Sequence, residues 1–232
     1  MQASIILDQV TDILQDKTNI RWTEAELIRS LNDGQRAIVL LRPDSSAQNA
    51  AIQLVAGSKQ SIPSTGLRLL DIVRNMGTNG AIAGRAVRIV QREVLDAQIP
   101  DWHTQTGTVV KHYMLDNRDP RRFYVYPAVP ANASVFLELV YSSNPRDVAS
   151  STDMVSVDDI YAPALVNYVV FRAYSKDAEY TADGSAAQLH YTAFMKLLGD
   201  KTSADSMMAP QANSTMFNPN IPKNGNMPAL GG

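Results

Sequence analysis

Apolar residues recur along this chain first at helical spacing, then at alternate positions, then at helical spacing again, and these three regimes divide it. Ile6, Val10, Ile13 and Leu14 mark a short amphipathic helix with Asp8, Asp12 and Asp16 turned to solvent. Thr23 and Glu26 make a capping box that opens a second helix carrying Leu27, Leu31, Ile38 and Leu41, and Pro43 ends it. Trp22 stands just before the cap, where its ring packs back on the first turn as a core group rather than a binding one. Near the other end, Ala162, Leu165, Val166, Val169 and Ala173 form one stripe of a helix from Asp159 to Thr181, with Asp159 as N-cap and Pro163 at the edge of the first turn. About 23 residues at 1.5 Å rise give a rod of about 34 Å. A break at Asp183-Gly184 leads to a second rod with Ala186, Leu189, Ala193 and Leu197 on one face and Gly199 as its terminator. Neither rod is stable alone. The pattern therefore predicts a helical bundle assembled from residues 1–43 and 158–200, with Leu27, Leu31, Leu165, Val169, Leu189 and Leu197 in its core.

Between these regions, residues 44–157 read as strands. Ile52 and Leu54 begin one that turns at Gly57-Ser58, with Gln60 to Pro63 as its hairpin partner. Leu67 to Met76 is a longer strand, and Arg88 to Ile99 a short helix ended by Pro100. Val109 to Tyr141 holds three strands in a meander: Val109 to Leu115, then Phe123 to Tyr126, then a strand with Val135, Leu137, Leu139 and Tyr141 on one face. Asp116 to Pro120 supplies the first turn. The fold class is α+β, an antiparallel β region inserted into a helical scaffold.

From Asp200 to Gly232 the composition changes in kind. These 33 residues hold four prolines, five asparagines and only four charges, too little apolar surface to offset about 1–2 kcal/mol of backbone ordering entropy per residue. Residues 201–232 are thus an extended tail without a fold of its own. It carries anchors all the same: Met207, Met208, Met216, Phe217, Ile221, Met227 and Leu230 are spread through it, and methionine suits adaptable contacts. The tail reads as a strap that lies along a partner.

Composition narrows the function. The net charge of -2 gives no general basic surface for nucleic acid or membrane, and no run approaches the roughly 18 apolar residues that span a bilayer. There is no cysteine, which removes disulfides, thiolate metal sites and thiol nucleophiles and suits a reducing cytoplasm. The N-terminus does not read as a signal peptide, so the glycosylation patterns at Asn132 and Asn213 are chance matches.

Candidate chemistry is sparse. Asp101, His103 and His112 lack any recognised metal-ligand spacing, His190 has no carboxylate one turn away, and no G-x-S-x-G elbow is present. Structural histidines account for these, and no cofactor is implied. Asp158-Asp159 resembles a glycosidase pair only superficially, since capping explains it. Gly77, Gly80 and Gly84 fit neither phosphate-cradling pattern and read as a plain turn. Arg85, Arg88 and Arg92, with Arg118, Arg121 and Arg122, lie near Tyr113, Phe123 and Tyr124 as in a single-strand platform, but Glu93, Asp96, Asp116 and Asp119 neutralise them. A solvated or subunit-contact surface fits better.

The run Arg68 to Met76, Gly84 to Val90, Pro100-Asp-Trp-His103, His112-Tyr113 and Asp116-x-Arg-Asp-Pro120-x-x-Phe-Tyr-Val-Tyr-Pro127 resembles bacteriophage adaptor proteins. The helix pair Ala164 to Tyr180 and Ala187 to Leu198 is similar to the closing hairpin of that group, and the likeness spans roughly residues 1 to 200. In role these proteins are similar to the tail tubular adaptor of short-tailed phages, a ring usually of twelve copies docked beneath the portal vertex. The resemblance implies a structural virion protein rather than an enzyme. It implies bundles packed beside their neighbours, a β part facing the tail nozzle or hub, a C-terminal extension on the portal, and DNA passing without sequence-specific binding. Particles of this kind assemble in the host cytoplasm. A tail needle or stopper subunit is the nearest alternative, and a tail-associated peptidoglycan hydrolase or single-stranded nucleic-acid module are more distant ones.

Overall fold

The computed structural model describes residues 1–116, 118–176 and 181–208, the last segment without the side chains of 181–183, 202, 204 and 206–208. In chain order the elements are α1 (Ala3–Leu14), α2 (Glu24–Leu41), β1 (Ala47–Gln53), β2 (Gly57–Ser61), β3 (Gly66–Asn75), β4 (Arg88–Ile89), α3 (Arg92–Gln98), β5 (His112–Leu115), β6 (Arg122–Val129), β7 (Phe136–Ser143), α4 (Ala162–Lys176) and α5 (Thr181–Met208). The chain is α+β.

The two ends of the sequence meet in one core. Ile6 and Val10 of α1, Leu27, Leu31 and Ile38 of α2, Leu165 and Val169 of α4 and Phe194 and Leu198 of α5 are buried together. The α2 start follows its sequence signal: Thr23 N–H donates to Glu26 Oε2 at 3.3 Å, and Lys176 Nζ reaches Glu26 Oε1 at 2.9 Å, fastening the end of α4 to the cap. That lysine contact and the Thr23 bond hold the Glu26 carboxyl below its ordinary range. Trp22 is buried, as its place before the cap suggests, and turns to α4, donating Nε1–H to Ala173 O at 3.1 Å. Gly34, in the middle of α2, marks the crossing with α4. A Cβ there would stand 3.0 Å from Tyr168 Cδ1 and 3.1 Å from Leu165 Cδ2, so the missing side chain lets the helices approach.

Buried amide side chains fasten the connection between the β region and α4 onto α2. Asn32 Nδ2 donates to Val148 O at 2.9 Å while its Oδ1 accepts from Val148 N at 2.8 Å and from Gln35 Nε2 at 3.1 Å, and Gln35 Oε1 accepts from Ser156 N at 2.7 Å. Removing one member orphans the others in a site closed to water. Asn32→Ala is expected to lower stability by about 2–4 kcal/mol, the sum of the unpaired Val148 and Gln35 groups, measured by urea unfolding. A cost below about 0.5 kcal/mol would show that water replaces the lost amide.

The β region is two sheets packed face to face. One has the order β1-β7-β3, the other β2-β6-β5-β4, with β4 and β5 parallel and the remaining pairs antiparallel. Leu69, Ile72, Leu137 and Leu139 from the first face Tyr113, Phe123, Val125 and Val129 from the second. A smaller cluster of Leu95, Trp102 and Met114 lies under α3.

Several expected features differ. β1 and β2 do not form a hairpin, because β1 pairs with β7 and β2 with β6. The meander keeps only its β5–β6 pair, and β7 crosses to the other sheet. Alternation assigns a strand its two faces and says nothing of its neighbour. Arg88-Ile89 is a strand rather than a helix start. Asp183-Gly184 lies inside α5 rather than at a break between the rods. Gly199 does not terminate α5, which runs through to Met208 and takes in the first residues assigned to the tail. Ile13 and Leu41, placed on the inner stripes, are exposed.

Leu189 and Leu197 are not core residues. They are 68% and 39% exposed, while Ala187, Phe194 and Leu198 are buried against α4. The buried stripe is shifted by one residue, about 100° around the helix. Phe194 decides the rotation, meeting Tyr168 edge to face at a centroid distance of 5.1 Å.

Candidate interaction surfaces

The turned α5 presents a second apolar stripe outward, Ala186, Leu189, Ala193 and Leu197, of which Leu189 and Leu197 are exposed. Apolar groups on an outer face offer a surface that another molecule can cover.

Its C-terminal turns are held in place. Arg42 Nη2 donates to Asp205 Oδ2 at 2.6 Å and to Asp44 Oδ2 at 2.8 Å, and Lys201 Nζ donates to the same Asp205 oxygen at 2.8 Å. These cations, Lys201 foremost, hold the Asp205 carboxyl below its ordinary value, and Asp44 chiefly raises the Arg42 guanidinium. The helix end is thereby seated against the turn that leads from α2 to β1. Met207 and Met208 lie in the last turn of α5, where no side chain is described. Met216, Phe217, Ile221, Met227 and Leu230 lie outside the described residues.

One arginine of each cluster, Arg92 and Arg118, lines an open concavity of about 1020 Å3 with Ile89, Leu115, Asp116 and Tyr124 among others. Most of the rings expected to interleave with the arginines are withdrawn. Phe123 is wholly buried, and Tyr113 is buried with its hydroxyl donating to Asp71 Oδ1 at 2.8 Å; burial first, and then this bond, raise its pKa. Arg92 stacks over Tyr124 at 5.2 Å and pairs with Asp96 at 3.4 Å, and Arg122 pairs with Asp119 at 3.1 Å. A nucleic-acid platform would need free rings and unpaired cations. Of the three rings only Tyr124 is partly accessible, and Arg92 and Arg122 are already paired with carboxylates.

The histidines are separate from one another. His103 stacks on Trp102 at 3.6 Å and shares a hydrogen bond with Ser58 Oγ at 2.8 Å, while Asp101 accepts from Gln105. His190 stacks on Tyr174 and pairs with Asn167 Oδ1 at 2.9 Å. His112 stacks on Tyr126 with a buried Nδ1 that has no partner among the described residues. No group of three or more His, Asp or Glu side chains among the described residues is placed to hold a metal ion. Asp158 and Asp159 are exposed at the short 3-10 turn before α4.

Burial lowers the pKa of both His112 and His190, and Arg85, Arg88 and Lys111 add to the effect at His112. The unfolded chain therefore binds more protons than the folded one below the ordinary value of 6.5. Stability is full above that pH and falls as pH drops through 6.5 toward the lowered folded values. Thermal melting from pH 8 to pH 5 is expected to show this decline, and His112→Gln with His190→Gln to flatten it. An unchanged slope in the double variant would assign the decline elsewhere.

No helix among the described residues is long and apolar enough to cross a membrane. Two further sequence signals mark this packing: Gly34 at mid-helix, and the amides Asn32 and Gln35 on the inner face of α2, are unusual enough to indicate a crossing and a buried network. Among curated proteins the chain finds no match. The family model described as SU10 adaptor protein matches residues 1–214, which takes in the bundle, both sheets and the whole of α5, and the chain therefore belongs to that bacteriophage adaptor family, as a structural protein of the virion.

Proposed function

We propose that this adaptor forms a closed ring, dodecameric in register with a portal, that joins the portal vertex to the tail nozzle or hub and continues the DNA exit channel. The observation that carries the proposal is the seat of α5: Arg42 and Lys201 hold Asp205, so the anchors beyond Met208 leave the bundle from one fixed place. The exposed Leu189–Leu197 strip supplies a lateral surface for the neighbouring copy, and the β region, at the far end of the α2–β1 connection, faces the next tail component. The net charge of -2 suits a wall that DNA passes without being held. In this role the protein performs no catalytic step.

Assembly is binding coupled to ordering. A terminal segment that gains contacts only on the portal makes ring closure depend on the docked template, and anchors repeated around a symmetric ring bind with avidity far above that of one copy. The mass of the portal-bound complex tests the stoichiometry: twelve copies per portal are expected, and a single copy bound to each portal ring would reject the closed ring.

A further inference from the structure

α1 and α5 lie on different flanks of α4. Each packs on α4, and the two share no packed interface of their own among the described residues. α1 turns a ridge outward: Ile5, Gln9 and Ile13, each one turn from the next, are all exposed. The outer stripe of α5 holds a ridge of the same spacing and length, Leu189, Ala193 and Leu197, with Leu189 and Leu197 exposed. Both ridges carry a branched apolar side chain at each end.

The two ridges stand at matching heights along the bundle. α1 runs parallel to α4: at its start Met1 N lies 2.6 Å from Asp159 Oδ1, and at its end Asp16 accepts from Trp22 N at 3.0 Å while Trp22 Nε1 donates to Ala173 O. α5 runs the other way, with His190 stacked on Tyr174 near the end of α4, Phe194 against Tyr168, and Lys201 over the Tyr161 ring at 5.5 Å, just before the start of α4. Ile5 is therefore level with Leu197, and Ile13 with Leu189, to within about one 5.4 Å turn. The same alignment brings Asp8 level with Lys196. Both are exposed, and neither has an ionic partner among the described residues. Asp12, the other acid on that face of α1, is taken up by Lys17 at 3.0 Å, and Asp200 falls a turn beyond Lys196.

A closed ring is heterologous: each copy meets its neighbours through two different surfaces, and rotation about the ring axis leaves heights unchanged. We propose that, with the bundles standing along that axis, the α5 ridge of one copy packs against the α1 ridge of the next, and Lys196 pairs with Asp8 across the contact. This rests on the ring reading and adds to it the surface that the α5 stripe meets. Two α5 helices cannot cover one another, because a self-complementary contact needs a two-fold axis between neighbours, which a cyclic ring lacks. The free carboxylate of Asp8 at the height of the free ammonium of Lys196 selects α1 instead. Two short ridges bury less than the roughly 1,200 Å² of a stable protein pair, so free copies stay apart and the contact counts once it is repeated around a docked ring.

Charge reversal in the full-length protein, added to purified portal, tests the ion pair. Asp8→Lys and Lys196→Asp are each expected to raise the concentration needed for a complete adaptor layer roughly tenfold or more, through like charges at every interface, and the double variant to restore it to within about threefold. Both single variants are expected to melt with the parent, since both positions are exposed. The cysteine-free chain allows a second reading. Gln9→Cys is combined in turn with Leu189→Cys, Ala193→Cys or Leu197→Cys, and the portal-bound layer is oxidised. At least one combination is expected to link copies into a covalent ladder. A complete layer with no ladder from any combination would overturn the α1–α5 contact and leave the ring intact. Failure of the double charge variant to recover would overturn the pairing of Lys196 with Asp8. No layer from the parent protein would overturn the ring, and this inference with it.

Discussion

A chain ending at Met208 is expected to keep its fold and to lose portal docking altogether. Every described element is retained in that truncation, including the Asp205 seat on Arg42 and Lys201, so thermal unfolding should move by no more than a few degrees. What it loses are Met216, Phe217, Ile221, Met227 and Leu230. Interface anchors of this kind cost about 1–2 kcal/mol or more apiece when removed, and the deficit is multiplied around a ring. Co-sedimentation with purified portal checks this. Docking at parental affinity would remove the strap from the account.

The second large effect is expected at the outer face of α5. Leu189→Asp combined with Leu197→Asp should cost the monomer no more than about 1–2 kcal/mol, because Leu189 is largely exposed and Leu197 partly so, while aspartate is the poorer helix former. In a ring whose neighbours cover that strip, the same change buries two carboxylates against apolar surface at each of its interfaces. Ring formation on the portal should then fail while individual copies remain folded and able to bind by their termini. Electron microscopy of portal mixed with the variant distinguishes a full adaptor layer from scattered density. A complete layer would show that neighbours meet elsewhere.

Much of the bundle can be read directly from residues. Thr23 and Glu26 announce α2, and Leu27, Leu31, Leu165 and Val169 sit where their spacing puts them, because local propensity and burial agree there. The α5 register was not legible in the same way. Its apolar groups surround the helix, so Ala186, Leu189, Ala193 and Leu197 make as regular a stripe as Ala187, Phe194 and Leu198, and only the aromatic contact with Tyr168 separates them. Gly199 reads as a terminator for a related reason. A mid-helix glycine costs about 1 kcal/mol, which the burial of Leu198 and the ionic seat of Asp205 offset.

In the β region the strands were visible and their partners were not. β1 and β7 are paired across more than eighty residues of chain, from Ala47–Ser142 to Gln53–Phe136, and nothing in either strand's alternation names the other. The candidate surfaces follow the same rule. The strap remains an expectation from composition on residues outside those the structure describes, whereas the outer stripe on α5 emerges only once the helix's rotation is known.

The account rests on a ring that closes against its template, and sedimentation velocity of the full-length protein alone tests this most directly. At low micromolar concentration the free chain is predicted to sediment as a single 25.4 kDa copy and to move into a ring-sized species only when portal is added. A stable closed ring in the absence of portal would contradict it.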